Sequence, residues 1–337
     1  MIAYWSMYVL SLFPEKQGRV YWGFIFVVLT IFIGYRYEVG CDWEQYHYLF
    51  GLMSQSFDNA MNVIDPGYGL VNWAISSMGG GVIHVNLVCA ALFSAGLITF
   101  ARHQPMPVLA LAIAIPYMVV VVAMGYTRQA VALSFLMMAL SYLGGGRNIR
   151  FFVFLLIGAV FHKTIVVLLP LGMIGIARGR GITNYLVLGA SVWFGVILAI
   201  DSAETLWKNY VDAQMESQGA MIRVAMNAVA AVVFLLVRKE WNRRFDDGYL
   251  WVWMAWAAIA CVPFLNIATT AVDRMALYFL PLQIIVFCRL PMLLSRKSER
   301  QLATLGIVAG YAMVMFVWLN FAAHSQCWLP YRSALFQ

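Results

Sequence analysis

Apolar residues along this chain gather into long runs with brief polar interruptions. The runs fall at 1–13, 20–35, 66–79, 82–101, 107–124, 129–143, 150–177, 183–200, 220–237, 249–267, 275–290 and 302–322. About 20 apolar residues in a helix cross a hydrocarbon core about 30 Å thick. The pattern therefore predicts an all-α polytopic membrane protein with about 11–12 transmembrane or re-entrant helices and short helices on the outer face. Residues 1–13 are short for a span and are expected as a first, thin or tilted helix. No basic n-region precedes them and no small-residue cleavage site follows, so no cleavable signal peptide is expected. Composition agrees: 63% of the 337 residues are hydrophobic and only 11% are charged, where a soluble domain carries about 25%. The mean hydropathy is +0.79. The net charge of +7 is then not a nucleic-acid signal, because basic residues in such a chain mark cytoplasmic loops.

Charge assigns the sides. The loops after 13, 101, 143, 177, 237 and 290 hold 15 of the 22 Lys and Arg residues and 5 of the 15 acidic ones. The positive-inside rule places these loops in the cytoplasm. Two runs must then be exceptions. The run 66–79 is followed by Gly79-Gly80-Gly81 and reads as an interfacial or re-entrant helix on the outer side. The run 150–177 is broken by Phe161-His162-Lys163 and reads as a hairpin with His162 near its outer turn. An unbroken tilted helix is the other reading of 150–177; it would put Arg178 and Arg180 outside. The chain is expected to form one integral membrane domain over 1–337, with outer-face loops at 36–65, 201–219 and 323–337. The five cysteines show no C-x-x-C and no metal spacing, so buried unpaired thiols are expected. Cys41 and Cys327 share the outer side, where a disulfide is the less favoured arrangement.

Ionisable residues near or inside spans are expensive, a central Arg costing about 2.5–3.5 kcal/mol on insertion scales, so such a residue usually has a job or a partner. Arg36 ends the second run. Arg128 stands between Val119–Val122 and Ala130–Leu133 with no acid nearby in sequence. His162 and Lys163 interrupt an apolar stretch, Asp273-Arg274 opens the eleventh helix, and Tyr331-Arg332 lies near the end. Arginines converging at the outer surface would suit a lipid diphosphate, because guanidinium offers planar bidentate donors and stays charged when partly desolvated. An acceptor hydroxyl needs a base, for which His162 and Asp42 are the candidates. His162, Asp42 and Arg128 are thus the candidate catalytic residues. Arg36, Arg274, Tyr46, Asp273, Lys163, Tyr331 and Arg332 are the candidate substrate contacts. Each has a plainer reading. An arginine can snorkel or pair with an acid, as Arg274 could with Asp273. His162 can be a structural hydrogen-bonder, and Asp42 can hold a loop. Tyr46 and its aromatic neighbours can stack on sugars or form an interfacial belt. Nucleotide-binding, zinc-protease and hydrolase signatures are absent, no D-x-D falls in an outer loop, and no metal or cofactor is expected.

Arg36-x-x-x-Gly40-x-Asp42-x-x-x-Tyr46 resembles the signature of the EpsG-like branch of Wzy polysaccharide polymerases. Asp65-Pro66-Gly67-Tyr68-Gly69, Thr127-Arg128-Gln129, Phe161-His162-Lys163-Thr164, Asp273-Arg274 and Pro330-Tyr331-Arg332 follow in the same order over nearly the whole chain. Each piece is short and degenerate, so the specificity lies in the order. The resemblance implies a GT-C-like membrane glycosyltransferase. It would move a growing glycan from undecaprenyl diphosphate onto a newly flipped, lipid-linked repeat unit, at the periplasmic face of a bacterial inner membrane. It also implies as partners the lipid-linked oligosaccharide, membrane lipid and a chain-length regulator protein, with no nucleic acid. An O-antigen ligase, a membrane O-acyltransferase of surface sugars and a lipid-linked oligosaccharide transporter are the alternatives. A ligase usually has a larger late outer loop, such an acyltransferase has an early His and Arg, and a transporter has polar residues at the midplane.

Overall fold

The computed structural model describes residues 1–13, 18–143, 148–169, 171, 172, 189, 193, 219–265 and 269–337. Of the described residues 82% are helical, and none of them forms a strand. In chain order the helices used below are α1 (Ile2–Ser11), α2 (Arg19–Gly34), α3 (Trp43–Met53), α4 (Phe57–Asn62), α5 (Pro66–Ser77), α6 (Val82–Arg102) and α7 (Pro107–Ala114). They continue with α8 (Thr127–Tyr142), α9 (Asn148–Phe161), α10 (Ala220–Asn242), α11 (Gly248–Phe264), α12 (Thr269–Ala276), α13 (Leu280–Leu293) and α14 (Lys297–Phe321). Two compact units emerge. The first comprises Met1–Met137, Ile157–His162 and Leu305–Gln337, the second Met138–Leu156 and Lys163–Thr304.

Among the described residues four stretches are long and apolar enough to cross a membrane: α6, α10, α14, and Thr269–Leu293, where a single 3₁₀ turn joins α12 to α13. On α14, Leu302, Leu305 and Phe321 are all more than 60% exposed. So much bare apolar surface suits lipid and not water. This is an all-α polytopic membrane protein. The 12 residues of α5 span about 18 Å, too little to cross, as the short run at 66–79 predicted. The expected break at His162 is present: α9 stops at Phe161 and a 3₁₀ turn follows over Lys163–Leu168. Apart from residues 189 and 193, the predicted run 183–200 lies outside the described residues, as does the loop 201–219 short of its last residue.

Beyond α7 the chain widens into a π-helix, Ile115–Ala123, with every residue buried. Pro116 lies in its first turn and has no N–H to donate. The carbonyl of Val120 accepts a hydrogen bond from Trp328 Nε1 at 2.7 Å. Trp328 belongs to a C-terminal tail that lies along the exit of α2. Gly40 N donates to Cys327 O (2.8 Å), Tyr37 N to Arg332 O (3.1 Å) and Ala334 N to Tyr35 O (2.8 Å). Arg36 and Ser333 form an isolated antiparallel bridge. Tyr4 OH donates to Trp328 O at 2.7 Å.

Cys41 and Cys327 form a disulfide, which corrects the expectation of unpaired thiols; Cys89, Cys261 and Cys288 are free and buried. The bond closes a loop of 286 residues. Replacing both cysteines by serine is expected to lower stability by about 2–4 kcal/mol, since a cross-link over a long loop restricts the unfolded chain most. Thermal unfolding in detergent checks this, with a non-reducing gel to report the bond. An unchanged transition would mean that the backbone pairs alone hold the tail.

Candidate functional site

The site grows from the start of α5. Proline at the first helical turn needs no donor and presets φ, so Pro66 fixes where the helix begins. Asp65 is the N-cap residue, yet its carboxylate caps nothing. It accepts instead from Arg128 Nη1 at 2.5 Å, and His162 Nδ1 lies 3.5 Å from the same oxygen. Burial pushes the Asp65 carboxyl up. The neighbouring His162, joined by Arg128, outweighs that and holds it below the usual carboxylate range.

The glycines that follow make this approach feasible. A Cβ on Gly67 would sit 3.0 Å from the Val160 side chain and carbonyl, so any larger residue would push α5 away from the end of α9, where His162 follows. A Cβ on Gly69 would sit 1.7 Å from the Ala60 carbonyl of α4. Between them Tyr68 is fully buried, its ring 5.7 Å from that of Tyr46 on α3.

Arg36 stands beside this group. Its Nη1 donates to Ile33 O (2.8 Å), and its Nη2 to Asn86 Oδ1 (3.1 Å) and Thr127 Oγ1 (2.7 Å). It is 1% exposed, and among the described residues no carboxylate pairs with it. Thr127 opens α8, so Arg36 grips the residue next to Arg128. Tyr46 and Tyr68 lie within electrostatic reach of both guanidiniums. The site thus holds two guanidiniums against one carboxylate. Three of its buried donors, Arg36 Nε, Arg128 Nε and Asn86 Nδ2, have no hydrogen-bond partner among the described residues.

Of the residues anticipated from sequence, Arg36, Arg128, His162 and Tyr46 come together in the first unit. Arg128 has no acid nearby in sequence, but Asp65, 63 positions earlier, pairs with it in space. The carboxylate beside His162 is likewise Asp65. Asp42 begins α3, where its side chain caps nothing. Tyr331 stacks on Phe32 at 4.9 Å and donates to its carbonyl at 2.8 Å, and Arg332 pairs with Glu38 at an exposed position. Both anchor the tail. In the second unit Asp273 takes two hydrogen bonds from Arg223. Asn227 and Gln283 extend that buried network: Gln283 Nε2 donates to Asn227 Oδ1 and Asn227 Nδ2 to Ala276 O. Lys163 and Arg274 also belong to the second unit. Asp65 and Thr127 were legible as parts of motifs, though not as site residues. Asn86 carried only the signal of a polar residue in an apolar run.

The EpsG family model matches residues 19–333. The chain belongs to the EpsG family. The matched stretch takes in every residue of the site and fits a membrane protein of the polysaccharide-polymerase type. Comparisons with curated proteins and with solved structures give no match.

Proposed function

We propose that this EpsG-family protein is a Wzy-type polymerase, a glycosyltransferase joining undecaprenyl-diphosphate-linked repeat units at the periplasmic face of a bacterial inner membrane. One observation carries the reading: two guanidiniums against one carboxylate, with buried donors left over. A diphosphate held at the membrane surface by its lipid tail brings the matching charge. As the bond between sugar C1 and the diphosphate oxygen breaks, the guanidiniums take up the charge growing on the leaving group. In this reading they supply the positive charge that a metal would otherwise bring. The acceptor hydroxyl oxygen forms the new bond to C1 and gives its proton to His162. Asp65 beside Nδ1 steadies the imidazolium, as the carboxylate of a catalytic triad does. Support for the outer face comes from the Cys41–Cys327 bond, which joins two loops assigned to that side; disulfides persist in oxidising compartments.

The test is the surface-polysaccharide profile of a deletion strain complemented with wild type, Arg128→Ala or His162→Ala, with expression verified. Wild type is expected to restore a ladder, and each variant to leave core plus a single repeat unit. A ladder that survives deletion, or a missing single-unit band, would move the protein to the ligase, acyltransferase or transporter readings.

A further inference from the structure

A second polar site lies at the turn from α10 to α11 and uses none of the residues assigned above. A cleft of about 420 Å³ opens there, lined by Arg238, Asn242, Phe245, Asp246 and Tyr249. The turn is braced from beneath. Asp247 accepts from Arg289 Nη1 (2.7 Å) and from Trp241 Nε1 (3.2 Å). The Arg289 guanidinium lies 5.3 Å from the Trp241 ring centre and 4.8 Å from that of Phe245. Arg244 donates to Met292 O, and Glu240 lies 3.7 Å from Arg243. Arg238 and Asp246 behave differently. They line one cleft with opposite charges, yet neither makes an ion pair or a side-chain hydrogen bond among the described residues.

Depth narrows the choice of ligand. α10 is a candidate span that ends at Asn242. Val232 and Leu236, just before Arg238, are exposed apolar side chains, as is Trp253 on α11. Exposed aliphatic residues mark the hydrocarbon, and the charges that follow them stand at the level of lipid headgroups. An anionic headgroup would meet Arg238 but be repelled by Asp246. A ligand carrying both signs satisfies both walls. We propose that this cleft binds the headgroup of a zwitterionic phospholipid, its phosphate against Arg238 and its primary ammonium against Asp246. Asn242 offers a donor to the phosphate, and Phe245 and Tyr249 pack beside the glycerol.

The purified full-length protein, offered equal phosphatidylethanolamine and phosphatidylglycerol in detergent, tests this by native mass spectrometry of the lipid retained. Wild type should keep phosphatidylethanolamine by about fivefold, the size expected of one partly solvated charge contact. Arg238→Gln and Asp246→Asn should each remove the preference. Lys239→Gln, beside the cleft but not on it, should keep it. Equal retention, a preference for phosphatidylglycerol, or the same loss in Lys239→Gln would each overturn the assignment. None of these readouts depends on polymerase activity.

Discussion

Asp65→Asn is expected to cost about 3 kcal/mol of stability and to stop chain growth. The substitution is nearly isosteric, so the effect is electrostatic: it leaves the part-buried Arg128 guanidinium without its carboxylate. Removing one partner of a buried pair is far more damaging than removing both. The double variant Asp65→Asn, Arg128→Gln should therefore recover part of the lost stability without restoring the ladder, a non-additivity read from a double-mutant cycle. The pH dependence has a definite sign. The Asp65 carboxyl is held below its ordinary value in the folded protein, so its contribution is present above the unfolded pKa of about 4 and lost as pH falls through the folded value. Melting temperatures across that range should fall more steeply for wild type than for Asp65→Asn. A variant that melts like wild type and builds a full ladder would remove Asp65 from the site.

The long elements were legible because lipid imposes a simple rule on them. Runs of apolar residues near 82–101, 220–237 and 302–322 became α6, α10 and α14. Arg128 and His162 stood out because charge amid apolar neighbours needs a reason, and both sit in the site. What stayed hidden depends on approach between distant segments. Nothing in the apolar pattern says that Asp65 would reach Arg128, or that Arg36 would be held by the neutral Asn86 and Thr127. The segment 36–65 read as a polar loop because α3 and α4 are short and leave much of their surface exposed. The disulfide was the less favoured reading for the same kind of reason: its cysteines meet only because the tail pairs with the backbone of residues 35–40.

Gly40→Ala, which adds a single methyl group, is expected to impair the site nearly as much as losing a catalytic side chain. Gly40 has φ = +101°, a region that costs an L-residue about 1–2 kcal/mol. A Cβ there would also meet the Met124 carbonyl at 2.6 Å, and a backbone atom has no rotamer to yield with. Overpacking of that kind adds about 1–3 kcal/mol. Met124 cannot relieve the clash by shifting toward Trp328, because the next residue, Gly125, packs under that ring, which would lie 2.8 Å from a Cβ there. The displacement would instead pass along Gly125 and Tyr126 to Thr127, loosening the Arg36 contact and the start of α8 that carries Arg128. Gly79→Ala separates the two causes. Gly79 also has positive φ, +78°, but open space surrounds it. It should lose only the conformational term, about 1 kcal/mol, and keep a normal ladder. If the two variants melt alike and build equal ladders, backbone strain explains everything, and the contact between the Gly40 loop and Met124 does not position Arg128.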